Sequence, residues 1–377
     1  MIRVLKHLAR ILFGLVFIFS GFVKGIDPWG SAYKFTDYFH AMGLDALVWT
    51  AFPLGIILSF AEFAIGVAFL FNWRMRFFSW LGLLFMAFFT PLTLWIAITN
   101  PVTDCGCFGD ALVISNWATF YKNLIFITLA IVVFANRKWF ADQVKTKVPL
   151  TLSLITFVVY FGIVYYSYNH LPIFDFRPYK VGTNIPDAMS YPDDAQQDVY
   201  ENIFYYKNKN TGKIKKFSEE NYPWQDTVNW EFNDMESNLI QEGYVPPIHD
   251  FRVETPEGEN IIDFFIYDEN YVFMLVAYDL HETNTEEQSK INTLSGWASG
   301  NGYSFICLTS TLPDEAQAFA DANQCNYEFF NCDEITLKTM IRSNPGLIAI
   351  KDGTIIGKWH YNDIPTPEEF QQEFMSE

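Results

Sequence analysis

Five stretches of this chain, roughly residues 8–25, 52–71, 77–99, 117–136 and 150–168, are apolar and long. Each meets the length of about 20 residues that a helix needs to cross a bilayer. No other feature constrains the fold as strongly. Backbone in hydrocarbon must satisfy its own polar groups, so it is helical or closed into a barrel. The first stretch has the basic start and apolar core of a signal peptide, but no convincing small-residue cleavage site follows, and it is read as a span. Pro91 lies within the third and is expected to kink it.

The flanks orient these spans. Arg3, Lys6 and Arg10 lie at the start, Arg74 and Arg76 link spans two and three, and Arg137, Lys138, Lys145 and Lys147 link spans four and five. The positive-inside rule assigns all three groups to the cytoplasm. The loops at 26–51 and 100–116 then face outward, as does everything after the fifth span. An odd number of spans with the N-terminus inside requires the same outcome.

Composition changes at about residue 170. Residues 1–169 carry 12 Lys/Arg and 7 Asp/Glu, whereas residues 170–377 carry 13 and 36. Phosphate would be repelled by so acidic a half, so no nucleic-acid partner is expected. The 5 Cys are too few for a disulfide-scaffolded secreted fold. Residues 170–244 read as a linker and irregular extension, with a hairpin of 200–207 and 213–217 around Asn210-Thr211-Gly212. From about 245 the pattern is that of a mixed α/β domain. A hairpin of Phe251–Val253 and Ile261–Ile266 is expected first, then a buried strand at Tyr271–Tyr278. Helices follow at 284–298, 313–322 and 334–342, with strands at 303–309 and 327–330 between them. Leu347–Lys351 and Thr354–Trp359 pair across Asp352-Gly353, and 366–375 forms a last helix.

The sharpest chemical feature is Asp104-Cys105-Gly106-Cys107-Phe108-Gly109-Asp110 in the second outer loop. Gly106 permits the turn that brings residues i and i+2 within disulfide reach. A ring so small is strained and easily reduced, which suits a redox couple. The same pair can instead be a static disulfide that folds the loop. Metal binding is a third option, but zinc needs more soft ligands than the loop offers, and His40 is the only nearby candidate. Glu62 falls in the middle of the second span, where a carboxylate suggests function or an interhelical hydrogen bond, with Thr90 or Thr93 at similar depth. Lys24 at the end of span one can snorkel to the surface and meet Asp27. Tyr33–Leu44 reads as an amphipathic segment on the outer surface, suited to a lid.

The end of the first span, Ser20-Gly21-x-x-Lys24-x-x-Asp27-Pro28, resembles the DoxX/MauE-like membrane proteins, as do Glu62 in the second span and the Cys-Gly-Cys-Phe-Gly run after the third. The resemblance covers about residues 5–140, and the Cys-Gly-Cys run favours the MauE side. It implies a four-helix bundle at 1–140, to which this chain adds a fifth helix at 141–169. MauE-type proteins are associated with maturation of a disulfide-rich periplasmic methylamine dehydrogenase. DoxX-type proteins are linked to quinone-coupled sulfur metabolism, so a quinone is a possible cofactor; no metal is expected. The location implied is a bacterial inner membrane with a periplasmic C-terminal domain.

That domain, 245–377, resembles thioredoxin-like proteins of the TlpA and peroxiredoxin type. The match rests on Pro247-x-x-Asp250-Phe251, on Thr255-Pro256-Glu257-Gly258, and on Asn344-Pro345 at the place of their cis-proline. Where those proteins carry a Cys-x-x-Cys, this chain reads Asp279-Leu280-His281-Glu282-Thr283-Asn284. Without a thiolate there, thioredoxin chemistry is ruled out at that place. Cys307 is expected in the core, and Cys325 with Cys332 is a possible structural disulfide.

These readings point to a membrane thiol-redox or protein-maturation factor working through Cys105 and Cys107, with the bilayer as environment and a periplasmic client or redox partner. A non-enzymatic scaffold and a quinone-linked respiratory subunit are the alternatives. The last would need a hydrophobic cleft for the quinone.

Overall fold

The computed structural model describes residues 2–102, 104–142 and 150–376. Lys145 and Lys147 lie outside the described residues. Residues up to Thr183, together with those from Phe251 onward, form one compact unit; Asn184–Asp250 forms another.

The first unit opens with α1 (Ile2–Ile26) and α2 (Pro28–Ala41), followed by α3 (Ala51–Leu70), α4 (Met75–Thr99), α5 (Asn116–Ala135), the short α6 (Arg137–Asp142) and α7 (Leu150–Asn169). Among the described residues five helical stretches are long and apolar enough to cross a membrane: Arg3–Ile26, Asp45–Leu70, Met75–Thr99, Asn116–Ala135 and Thr151–Asn169. Pro91 stands inside the continuous α4.

Small residues set the tightest contact, between α1 and α3. A Cβ at Gly21 would stand 2.6 Å from the Phe63 nitrogen and the Ser59 carbonyl oxygen, and one at Gly66 would stand 2.5 Å from the Ile18 nitrogen. The two backbones therefore touch, as expected where no hydrophobic force drives helices together in lipid. Tyr160 on α7 seals the same seam, packing over Gly25 and hydrogen-bonding to Ser59.

The basic flanks gather at one end of this bundle. Arg10 donates to the last carbonyls of α3, at Phe69 and Leu70, and Arg76 meets Asp142 on α6 at 3.2 Å. The Arg10 guanidinium there caps the partial negative charge of the α3 C-terminus. The opposite end carries α2 and the loop between α4 and α5.

The second unit holds α8 (Ile185–Met189) and the strands β1 (Val199–Asn208), β2 (Ile214–Ser218) and β3 (Trp230–Gln241), an antiparallel sheet of order β2-β1-β3. The expected hairpin is present, turning at Gly212 with φ +70. The expected irregular extension is not. Instead β3 pairs along the whole length of β1. Its sequence, WEFNDMESNLIQ, is mostly exposed and lacks a clean alternation of apolar residues. A strand without a buried face leaves little period-2 signal.

The first unit resumes with α9 (Asp263–Ile266), β4 (Tyr271–Val276), α10 (Gln288–Gly300), β5 (Ser304–Thr309), α11 (Pro313–Asn323), β6 (Glu328–Asn331), α12 (Glu334–Met340), β7 (Gly346–Lys351), β8 (Thr354–His360) and α13 (Pro367–Phe374). The sheet order is β6-β5-β4-β7-β8. Strands β4, β5 and β6 run parallel, while β7 and β8 are antiparallel to their neighbours. All six residues of β4 are buried, which explains its continuous apolar run. Asp352 and Gly353, with φ +47 and +70, make the turn between β7 and β8. Phe370 of α13 is fully buried, with its ring 4.8 Å from that of Phe273 on β4. The expected hairpin of Phe251–Val253 with Ile261–Ile266 does not form. What remains is a short turn, with a bridge between Glu254 and Asn260 and the Ile261 N–H donating to the Val253 carbonyl at 2.8 Å, while Asp263–Ile266 coils into α9, burying Phe265 and Ile266. The Asn344–Pro345 peptide is cis.

Candidate functional site

The loop between α4 and α5 folds back over the end of α1. Gly106, with φ +64, makes its turn, and its N–H donates to Asp104 Oδ1 at 2.8 Å. A Cβ at this position would press within 3.0 Å of Lys34 Cγ. The turn sets the Sγ atoms of Cys105 and Cys107 3.0 Å apart as free thiols.

Four contacts hold the loop in place. Tyr38 on α2 donates to the Cys105 carbonyl at 2.7 Å, and Ser20 on α1 to the Cys107 carbonyl at 2.8 Å. Lys34 pairs with Asp104 at 2.6 Å. Lys122 on α5 lies 4.2 Å from the centroid of the Phe108 ring.

The two thiols are electrostatically unlike. The Cys107 thiol is lowered to about 6, chiefly by the hydrogen bond from Cys105; burial opposes this, and Lys122 and Lys24 add to it. Cys105 is raised, by that same hydrogen bond and by burial. Of the two, Cys107 is the thiol that ionises more readily, and the thiolate is the form that thiol exchange uses.

Directly beneath lies a buried polar triad. Ser20 and Lys24 are one helical turn apart on α1 and share a face. Lys24 Nζ lies 2.9 and 2.8 Å from the two carboxylate oxygens of Glu62, and the Ser20 hydroxyl is 2.8 Å from Glu62 Oε2. Two sequence expectations are corrected here. Glu62 does not reach Thr90 or Thr93; Thr93 accepts from Asn123 at 3.1 Å instead. Lys24 does not reach Asp27. The glycine-mediated contact of α1 with α3 brings Lys24 and Glu62 within reach of each other, and an opposite charge outweighs a neutral hydroxyl in a medium of low dielectric.

Asp27 has other work. Its side chain caps α2 by accepting from the Gly30 N–H at 2.8 Å, and Pro28 begins that helix. Both carboxylate oxygens of Asp27 also lie 3.0 Å from Arg342 Nε, just beyond α12, and Arg342 Nη2 meets Asp110 of the thiol loop at 3.1 Å. Burial pushes Asp27 up, but Arg342 and Arg177 outweigh it and leave the carboxyl below its ordinary range. For Asp110 burial prevails over Arg342, and its pKa is raised. One buried guanidinium thus ties the α/β region to both α2 and the thiol loop.

A cavity of about 400 Å³ opens beside the thiols among α1 to α5. Its walls are mostly apolar, while Ser20, Lys24, Glu62, Cys105, Cys107 and Asn123 supply polar groups.

The remaining predicted residues lie apart from this site. His40 turns to Asp45 at 2.6 Å. Among the described residues, no group of three or more His, Cys, Asp or Glu is placed to hold a metal ion. Cys307 is fully buried in β5. Cys325 and Cys332 are free thiols and do not pair. They flank the extended strand β6, and even its four residues span about 10 Å, beyond disulfide reach. The segment Asp279–Asn284 after β4 is fastened to Asn344, whose Nδ2 donates to the Asp279 carbonyl at 2.8 Å, and His281 is exposed beside Glu315.

Sequence reasoning missed Lys34, Tyr38, Lys122 and Arg342, and it named Ser20 and Asp110 only as members of their motifs, with no partner for either. Ser20 carried a signal in its one-turn spacing from Lys24. Arg342 carried none, since its partners are more than two hundred residues away.

Residues 2–136 match the family model described as methylamine utilisation protein MauE, and residues 200–242 match a domain of unknown function, DUF8463. Nothing matches among curated proteins or solved structures. The matched MauE segment ends with α5, so α7 and the α/β region lie beyond it. With its five apolar helices, the chain is a multi-pass membrane protein whose N-terminal region is MauE-like.

Proposed function

We propose that this chain is a membrane thiol–disulfide redox factor that serves protein maturation, with Cys105 and Cys107 as its working pair. The observation that carries this reading is the asymmetric contact of the two thiols. Their Sγ atoms lie 3.0 Å apart, and Cys107 is lowered to about 6 mainly by its hydrogen bond with Cys105. A thiolate so poised attacks a client disulfide, forming a mixed disulfide and releasing one client thiolate; attack by Cys105 on the Cys107 sulfur then closes the pair and releases the second client thiolate.

The charge pattern supports an orientation with the basic end in the cytoplasm and the thiol loop outside it, where disulfides persist. The α/β region reads as a thioredoxin-like domain that has lost its own thiols. Support comes from the parallel β4, β5 and β6 beside the antiparallel β7 and β8. Tied to the loop through Arg342 and Asp110, it would position a client or shield the pair.

The scaffold reading draws on the four contacts that pin the loop, which would equally suit a bridge with a static role. Thiol trapping in intact cells separates the two. A redox factor shows a mixture of dithiol and disulfide that shifts with added reductant, and Cys105→Ser or Cys107→Ser traps a mixed disulfide with another protein. A fully oxidised pair that never exchanges, together with unstable serine variants, would establish the scaffold.

A further inference from the structure

The thiol loop is held at its start, its middle and its end, and the holds come from two different parts of the chain. At the start, Lys34 of α2 pairs with Asp104 at 2.6 Å and Tyr38 donates to the Cys105 carbonyl at 2.7 Å. In the middle, the Ser20 hydroxyl of α1 donates to the Cys107 carbonyl at 2.8 Å. These residues all lie within the MauE-like segment. The end of the loop is held from outside it. Asp110 is met at 3.1 Å by Nη2 of Arg342, which follows α12 in the α/β region, 232 residues further along the chain.

This guanidinium is built into the fold. Arg342 is 7% exposed. Its Nε lies 3.0 Å from both carboxylate oxygens of Asp27, its Nη1 donates to the Lys338 carbonyl, and its Cζ stands 5.2 Å from the centroid of the Tyr33 ring. A planar fork of donors fixed in this way presents Nη2 to Asp110 in one orientation.

The contact between the sulfurs depends on how the loop is held. Gly106 and Gly109, with φ +64 and +53, stand on either side of Cys107, and the space where a Cβ of Gly109 would lie is open. Glycine leaves the backbone free at both places, so the contacts at the loop's ends decide where Cys107 sits. The hydrogen bond from Cys105, across 3.0 Å, is the chief cause of the lowered Cys107 thiol. Such a bond weakens steeply once distance and angle are lost.

We infer that Arg342 is a positioning residue for the Cys105–Cys107 pair: from the α/β region it anchors the end of the thiol loop and thereby holds the two sulfurs in contact. The inference rests on the redox reading given above. It gives a domain without a thiol pair of its own a part in the chemistry of the bundle.

Geometry and charge make opposite demands at Asp110. Removing a carboxylate favours a neighbouring thiolate and by itself lowers the pH at which Cys107 ionises, whereas releasing the loop loses the hydrogen bond and raises it. Lys24, Lys34, Tyr38, Glu62, Asp104 and Lys122 also surround the pair. They are the same in every variant below, so a difference between variants comes from Arg342 and Asp110.

The test uses the full chain in lipid nanodiscs with the pair reduced. It reads the pH midpoint of iodoacetamide alkylation at Cys107 by peptide mass spectrometry, together with the melting temperature. Arg342→Met should raise the midpoint by about one unit or more. Arg342→Lys, which keeps the charge and a donor for Asp110, should move it less. Asp110→Ala should also raise the midpoint, against the direction of its charge. Both changes break one contact, so the double variant should move no further than Arg342→Met alone. An unchanged midpoint in a folded Arg342→Met, a fall in Asp110→Ala, or simple addition in the double variant would each overturn the assignment and leave the redox reading intact. If Arg342→Met does not fold, the sign of the Asp110→Ala shift decides alone, since that side chain is 37% exposed. A midpoint of about 8.5 in the unaltered chain would mean that no thiolate is activated, and both readings fall.

Discussion

Two places in this molecule invite comparison as centres of thiol chemistry. One is the loop after α4, where Cys105 and Cys107 touch at 3.0 Å. The other is the segment after β4, where a thioredoxin-like domain would carry its cysteines and this chain has Asp279–Asn284. The second place keeps an ordered backbone. Leu280 N–H donates to Thr311 at 3.0 Å and Asn284 N–H to the Asn344 carbonyl at 3.0 Å. It lacks a thiol. The first has nucleophiles, charge to activate one of them, and a cavity beside them. The difference teaches that order at the end of a strand is not chemistry. Chemistry follows the group that can change its covalent or ionic state, and the surrounding electrostatics decide whether it does so near neutral pH.

The largest expected effect breaks the comparison outright. Cys107→Ser should abolish disulfide formation, whereas His281→Ala should leave it unchanged, as read by maleimide mass shift of the purified chain. Activity lost in the second variant and kept in the first would exchange the roles of the two places.

The polar support beneath the thiols comes next. Glu62→Leu leaves the Lys24 ammonium buried without its partner, which should cost about 3–5 kcal/mol. Glu62→Gln keeps an acceptor for Ser20 and should cost less. Thermal unfolding in detergent decides, and equal losses would remove the ion pair from the account. If the Gln variant is stable yet inactive, the carboxyl carries protons as well as holding helices together.

A comparable loss is expected on the α/β side. Asp175 accepts from Arg177 at 2.8 Å and from Lys358 at 2.6 Å, and both bases are almost wholly buried. Against the penalty of burial, these two bases hold the carboxyl down at about 2. Burial, aided by Arg177, depresses Lys358 to about 7 in spite of Asp175. Asp175→Asn leaves two buried bases facing each other and should cost about 3 kcal/mol. A loss below 1 kcal/mol would show that the cluster is solvated.

The pH dependence of alkylation sharpens the contrast with less disruption. Cys107 at about 6 is thiolate above that pH and thiol below it, so its reaction with iodoacetamide should fall as the pH drops through about 6. An unperturbed cysteine loses its reactivity near pH 8.5. Lys122→Met removes a charge that favours the thiolate and should move the midpoint upward. A midpoint already near 8.5 in the unaltered chain would end the claim of activation.

The smallest effect is expected at the exposed pair of His281 and Glu315, 68% and 51% exposed at 3.2 Å. Breaking it with His281→Ala should change stability by less than about 1 kcal/mol. A larger loss would mean that the segment after β4 holds the fold together.

The sequence by itself determined the features that rest on local pattern. Five apolar runs became five helices, because hydrocarbon leaves the backbone no other partner. The run YVFMLV became a strand buried on every residue, and Asp352-Gly353 became the hairpin turn. Spacing alone drew attention to Cys105 and Cys107. Where the pattern is weak, local order does not decide: β3 shows no buried face, and the apolar residues of Asp263–Ile266 suit either period yet coil into α9.

Only the tertiary structure decided which partner each polar group takes. Glu62 had several hydroxyls within plausible reach, yet the contact through Gly21 and Gly66 delivered it to Lys24. Asp27, expected to meet Lys24, instead holds Arg342, 315 residues further along the chain. Cys325 and Cys332, close in sequence, are held apart by the strand between them. The cavity has no sequence signature at all, since five helices enclose it together. The reason is physical. Helix, strand and turn follow from interactions between residues a few positions apart. A buried charge settles with whichever opposite charge the packing of distant segments brings within a few ångströms, and that packing is a property of the whole fold.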